Sequence, residues 1–133
     1  MSEENEKLGL LAQLVQLAQS DDHFKEQEFQ FLLAIAAQMG VTKEDFKQIF
    51  EENIRFQPPK FEAERILQLQ RLILLMNVDK EISEEELDYI KSAGIRMGLH
   101  PSATNSVLSE MHNYKNNIIP PERLIEIFRT YHN

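Results

Sequence analysis

Four carboxylates in this 133-residue chain recur at one spacing, Asp21 with Glu28 and Asp79 with Glu86. Each pair sets an aspartate just beyond an apolar stretch and a glutamate seven residues later. Oxygen ligands of this kind suit hard divalent cations. Calcium takes roughly six to eight oxygens, and magnesium accepts about one or two carboxylates with water completing its shell. His23 follows Asp21 closely enough to add a nitrogen ligand. An EF-hand is excluded: Asp79, Ile82 and Glu86 match the second half of its loop, but the first half fails. Leu75 and Leu17 fall where the first aspartate belongs, Asn77 and Gln19 at the third position, and Lys80 and Asp22 at the glycine.

The same residues also read as helix caps. Short acidic side chains satisfy free N–H groups and suit the positive end of a helix. Ser83 and Glu86 form an S-x-x-E capping box, flanked by Ile82 and Leu87 as a hydrophobic staple. Glu28 has Lys25 at the matching position, and capping is not expected to explain it. Cation site and helix caps therefore stand side by side.

Other chemistries find no support. Cysteine is absent, which removes disulfides, thiolate nucleophiles and zinc–thiolate sites. None of His23, His100, His112 and His132 stands three residues after a glutamate, and there is no H-E-x-x-H. Gly9, Gly40, Gly94 and Gly98 build no phosphate loop. Catalysis is not expected.

The elements that must position the carboxylates are helices. Composition is that of a globular protein, with 42% hydrophobic and 27% charged residues, and length fits one domain. The net charge of −8 disfavours phosphate backbones and anionic lipid. Apolar runs such as LILLM at 72–76 are too short to span a bilayer. The N-terminus lacks a basic region and a cleavage pattern, so no secretory signal is expected and a cytoplasmic location is.

The spacing predicts a charged lead-in over 1–7 and one domain over 8–133, made of a first repeat (8–57), a second (62–115) and a final helix (121–131). Within these, helices are expected over 8–19, 26–39, from Thr42 to about Ile54, and over 62–77, 84–97 and 101–114. Phe29, Leu32, Leu33, Ala36 and Ala37 are expected to face inward, as are Phe46, Ile49, Phe50 and Ile54. Thr42 with Asp45 suits a capping box, with Val41 and Phe46 as staple. Gly40 and Gly98 suit the left-handed turn after a helix end. An offset of 58 aligns 8–50 with 66–108 without a gap, and eight of the 43 pairs are identical. These include Leu11/Leu69, Leu14/Leu72, Leu17/Leu75, Asp21/Asp79, Glu28/Glu86 and Gly40/Gly98, the pattern of an internal duplication.

Two binding readings remain. Residues 33–50 have the spacing of a helix-turn-helix, but the would-be recognition helix carries Glu44, Asp45, Glu51 and Glu52 against Lys43 and Lys47. Nucleic acid is accordingly not the expected partner. Phe24, Phe56, Phe61, Tyr114 and Tyr131 lie near helix ends, where exposed aromatics anchor protein partners.

A loop aspartate, an acidic residue seven positions on and an M-G-[VL] stop occur in LVQLAQSDDHFKEQEFQFLLAIAAQMGV and LILLMNVDKEISEEELDYIKSAGIRMGL. Both stretches resemble the tellurite-resistance TerB-like family, and the resemblance spans residues 8–131. It implies an all-α bundle of about seven helices. It also implies a stress-linked binding or adaptor role in complexes at the membrane face, and a divalent-cation site at Asp21, Glu28, Asp79 and Glu86. The family's glycine after the aspartate is replaced by Asp22 and Lys80, and a lysine beside Asp79 competes with a cation. The expected function is a non-catalytic binding module with a protein partner and a weakly held cation. The alternatives are a DNA-binding helix-turn-helix protein and a metal-free interaction domain.

Overall fold

Leucine, alanine, glutamine and glutamate lose little freedom in a helix, and the segments richest in them form the centre of the molecule. The computed structural model describes residues 3–20, 25–52, 54–78 and 81–131. Seven α-helices lie among them: α1 (Glu3–Ala18), α2 (Glu26–Gln38), α3 (Lys43–Glu51), α4 (Glu62–Met76), α5 (Glu84–Arg96), α6 (Pro101–Glu110) and α7 (Pro121–Thr130). No strand occurs among the described residues. The chain is all-α, and none of its helices is long and apolar enough to cross a membrane among the described residues.

Helices α1 and α4 form the axis of the core. They pack on each other, and each also meets α2 and α5, while α3 lies on α1 and α6 on α5 and α7. Leu11, Leu14, Leu17 and Ala18 of α1 are fully enclosed, and so are Leu69, Leu72, Leu75 and Met76 of α4. A polar set crosses this interface. Gln68, also fully buried, donates from Nε2 to the Leu10 carbonyl at 3.0 Å and to Gln13 Oε1 at 2.9 Å. Arg71 Nη1 donates to Gln68 Oε1 at 3.0 Å, so all of the buried amide's heavy atoms are engaged.

Helices α2 and α5 end alike. Gly40 and Gly98 take φ of +77° and +78°. Beyond them Val41 N–H reaches back to the Ala36 carbonyl, and Leu99 N–H to the Gly94 carbonyl, each at 2.9 Å. With Gly40 N–H on Ala37 and Gly98 N–H on Ile95, each end closes as a Schellman motif. A side chain at either glycine is forced into the left-handed region. Gly40→Ala has open space around its new Cβ, so its cost is conformational and expected at about 1–2 kcal/mol. Urea unfolding of the variant measures it, and a stability equal to the parent's would remove the αL requirement at this helix end.

Several expected boundaries and faces differ. The lead-in is helical from Glu3, because its acidic residues suit the positive end of a helix. The sixth helix stops at Glu110 rather than 114, and two 3-10 turns follow, Met111–Asn113 and Lys115–Asn117. Asn116 and Asn117 sit at φ of 57° and 58°, a region asparagine tolerates and a continuing helix excludes. Ala37 and Phe50 are exposed, and at Phe50 this is because α3 turns onto α1 and leaves its far edge open. At Thr42 only half of the expected box forms, the hydroxyl accepting from Asp45 N–H at 3.2 Å. Val41 and Phe46 are both buried beside it.

The last helix is clamped rather than merely packed. Arg123 donates to both oxygens of Glu110, at 2.6 and 2.8 Å, and Tyr114 O–H donates to Glu110 Oε2 at 3.0 Å. The Arg123 hydrogen bonds hold the Glu110 carboxyl below its ordinary 4.5. A depressed folded-state value contributes stability that is present above 4.5 and lost as pH falls through the lowered value. Melting midpoints recorded from pH 7 downward are therefore expected to drop in that acid window. Arg123→Gln should lower the neutral-pH midpoint and flatten the acid drop, and an unchanged acid slope would rule the clamp out as its source.

Candidate functional site: the paired acidic junctions

The two acidic junctions precede α2 and α5, and local capping orders the described part of both. At α5, Ser83 Oγ accepts from Glu86 N–H at 3.1 Å, and Glu86 Oε1 accepts from Ser83 N–H at 3.2 Å. At α2, Glu28 Oε1 accepts from Lys25 N–H at 3.1 Å. This corrects the expectation that capping leaves Glu28 unexplained. The reach-back bond needs only a backbone N–H at the cap, which lysine supplies as well as serine. The return bond is impossible there, because an ammonium has no acceptor. Glu28 and Glu86 are 2% and 3% exposed, so both carboxylates are drawn into their helix starts rather than displayed to solvent.

The two junctions meet at one end of the bundle. Lys25 Nζ lies 2.8 Å from Glu81 Oε2, an ion pair between residues 56 positions apart. An ammonium–carboxylate pair thus bridges the two junctions. Of the four expected ligands, Glu28 and Glu86 are placed as described, while Asp21 and Asp79 lie outside the described residues, as do Asp22, His23, Phe24 and Lys80. Among the described residues no three histidine, aspartate or glutamate side chains gather closely enough to hold a metal.

Other candidates fall into place. His100 is a helix cap: its Nδ1 accepts from Ser102 N–H at 3.1 Å, and its ring lies 5.2 Å from that of Tyr131. Helix α3 buries Phe46 and Ile49 and exposes Lys43, Glu44, Lys47 and Glu51, a mixed face with no basic excess. Of the aromatic anchors, Tyr114 and Tyr131 are tied down by Glu110 and Ser106, and Phe56 is half-buried. Phe61 alone among the described four is widely exposed, at 64%.

Two surface features escaped the sequence reading. Between α4 and α7 an apolar groove of about 460 Å³ is lined by Ala63, Ile66, Leu67, Leu124, Ile125 and Phe128. The visible signal was the breadth of the apolar arc on α4, which exceeds what one neighbour covers. A second, polar cleft of about 370 Å³ lies between α1, residues 54–58 and α5. Tyr89 anchors it, donating its hydroxyl to the Gln13 carbonyl at 3.2 Å and to Gln16 Oε1 at 2.8 Å. Burial pushes this phenol up to about 12, so it stays a neutral donor at physiological pH. The Arg96 guanidinium lies 5.8 Å from the centre of the Tyr89 ring. No sequence motif announces the cleft, because its walls come from three separate stretches.

Comparison with known protein families, curated proteins and solved structures finds no match for the chain.

Proposed function

We propose that this chain is a non-catalytic binding module of TerB-like type, built from two related helical halves with their acidic junctions at one end. The observation that carries the reading is the Lys25–Glu81 ion pair, which sets the two junctions side by side at 2.8 Å. The offset of 58 is supported by parallel local structure. Leu14 and Leu72 share full burial, Glu28 and Glu86 the same reach-back bond, and Gly40 and Gly98 the same turn. Such matching is economical if one helical unit was copied and the copies packed about α1 and α4. The proposed ligand of the module is a protein in a stress-linked bacterial assembly, tellurite resistance among the candidate settings. A cytoplasmic location, with membrane association only through that partner, completes the reading.

A weakly held divalent cation at Asp21, Glu28, Asp79 and Glu86 is part of this proposal. Two features make such a site weak. One oxygen of each glutamate already serves its own helix start, and the Lys25 ammonium competes for the same negative field. The test is a thermal melt of metal-stripped protein with and without millimolar magnesium, calcium, manganese and zinc. A ligand that binds only the folded state raises the midpoint. We expect a rise with at least one ion, lost in Asp21→Asn and in Glu28→Gln, and enlarged in Lys25→Met. No rise with any ion would sink the cation site and leave the glutamates as caps. On the caps-only outcome, Glu28→Gln costs about 1 kcal/mol of stability without a ligand phenotype.

A further inference from the structure

The polar cleft between α1, residues 54–58 and α5 has an unusual donor balance for so acidic a chain. The sequence holds 22 acidic and 14 basic residues, yet among the described residues neither aspartate nor glutamate lines this cleft, while Arg55 and Arg96 both do. Its side-chain acceptors are each engaged within the fold. The Gln13 carbonyl and Gln16 Oε1 both take the Tyr89 hydroxyl, and Gln13 Oε1 takes the Gln68 amide. The groups with no acceptor already engaged are the terminal nitrogens of two guanidinium forks and the Gln16 amide nitrogen, so free donors outweigh free acceptors.

Several of the other cations with described partners are committed elsewhere. Arg123 grips Glu110, Lys25 pairs with Glu81, and Arg65 donates to the carbonyls of Pro59, Lys60 and Met97. Arg55 has no ion pair or side-chain hydrogen bond among the described residues, and is exposed. Arg96 spends only Nε, in a long 3.4 Å bond to the Ser92 carbonyl, leaving its terminal nitrogens available. Its place over Tyr89 limits its wandering, and Tyr89 is itself pinned to α1. Ile54, Phe56 and Pro58 supply apolar walls, which concentrate the field of the two guanidiniums.

We propose that this cleft binds an oxyanion, a carboxylate or a phosphate group carried on a partner molecule, through Arg55 and Arg96. Planar guanidinium forks match both groups in bidentate geometry. The cleft's volume of about 370 Å³ suits one anionic side chain or headgroup with a small apolar body against Phe56. The proposal goes beyond the junction reading and uses none of its residues.

Phenyl phosphate and benzoate are the probes, with neutral benzamide as control, titrated at low ionic strength into labelled protein followed by two-dimensional NMR. The expected result is a saturable shift of the Arg55, Arg96 and Gln16 side-chain signals with at least one anion and none with benzamide. The stronger anion identifies the source, phosphate or carboxylate. The double variant Arg55→Gln, Arg96→Gln alters only exposed side chains, so circular dichroism should report an unchanged fold. Affinity in that variant is expected to fall at least about tenfold. Benzamide binding as well as the anions, full affinity in the folded double variant, or the absence of any saturable shift at the cleft would each overturn the proposal.

Discussion

Leu72→Ala is expected to cost about 2–5 kcal/mol of unfolding free energy, and Leu14→Ala a comparable amount. Both leucines are fully buried at the contact of α1 with α4, and they occupy corresponding positions at the offset of 58. Each truncation removes several methyl and methylene groups and leaves a void that a close-packed helix pair fills poorly. Native folds of this size hold only about 5–15 kcal/mol, so either variant gives up a large share. Chemical denaturation followed by far-ultraviolet circular dichroism measures both losses. Values below about 1 kcal/mol would mean that this pair of helices is not the centre of the core. A large loss at one site only would show that the two positions share a sequence pattern without sharing its energetic weight.

Gln68→Leu is expected to destabilise by about 1–3 kcal/mol even though it replaces a polar core residue with an apolar one. The amide joins the Leu10 carbonyl, Gln13 Oε1 and Arg71 Nη1 at 2.9–3.0 Å. Leucine abolishes all three bonds and strands Gln13 and Arg71 in a region where Gln13 is 3% exposed. Arg71 is half-buried, and desolvation pulls its guanidinium below its ordinary value. The double variant Gln13→Leu, Gln68→Leu removes donor and acceptor together and should recover part of the loss, because no unpaired amide remains. Stability no better in the double than in the sum of the singles would show that the two side chains are not coupled. The network also bears on the oxyanion cleft, since the Gln13 carbonyl is one of the anchors of Tyr89.

The helix starts at Lys43 and Glu84, capped by Thr42 and Ser83, and the ends before Gly40 and Gly98 were readable from the chain because their causes are local. A serine or threonine cap, a glutamate three residues on and a glycine stop all act within about one turn of helix. The all-α class was equally open to reading, since it follows from a 3.6-residue period that needs no knowledge of neighbours. Glu28 shows the limit of residue-type reasoning. Its role was misjudged from the side chain at Lys25, whereas the bond it makes uses a backbone N–H that every residue but proline carries.

Features that depend on which helix meets which were beyond the sequence. Phe50 belongs to an apolar stripe yet is 46% exposed, because α3 settles on α1 and leaves its far edge uncovered. The Lys25–Glu81 pair and the cleft of Gln16, Arg55, Tyr89 and Arg96 join residues separated by dozens of positions. Spacing along the chain fixes which side chains share a helix face. It does not fix which partner covers that face, because packing is decided by the shapes and volumes of all the helices together.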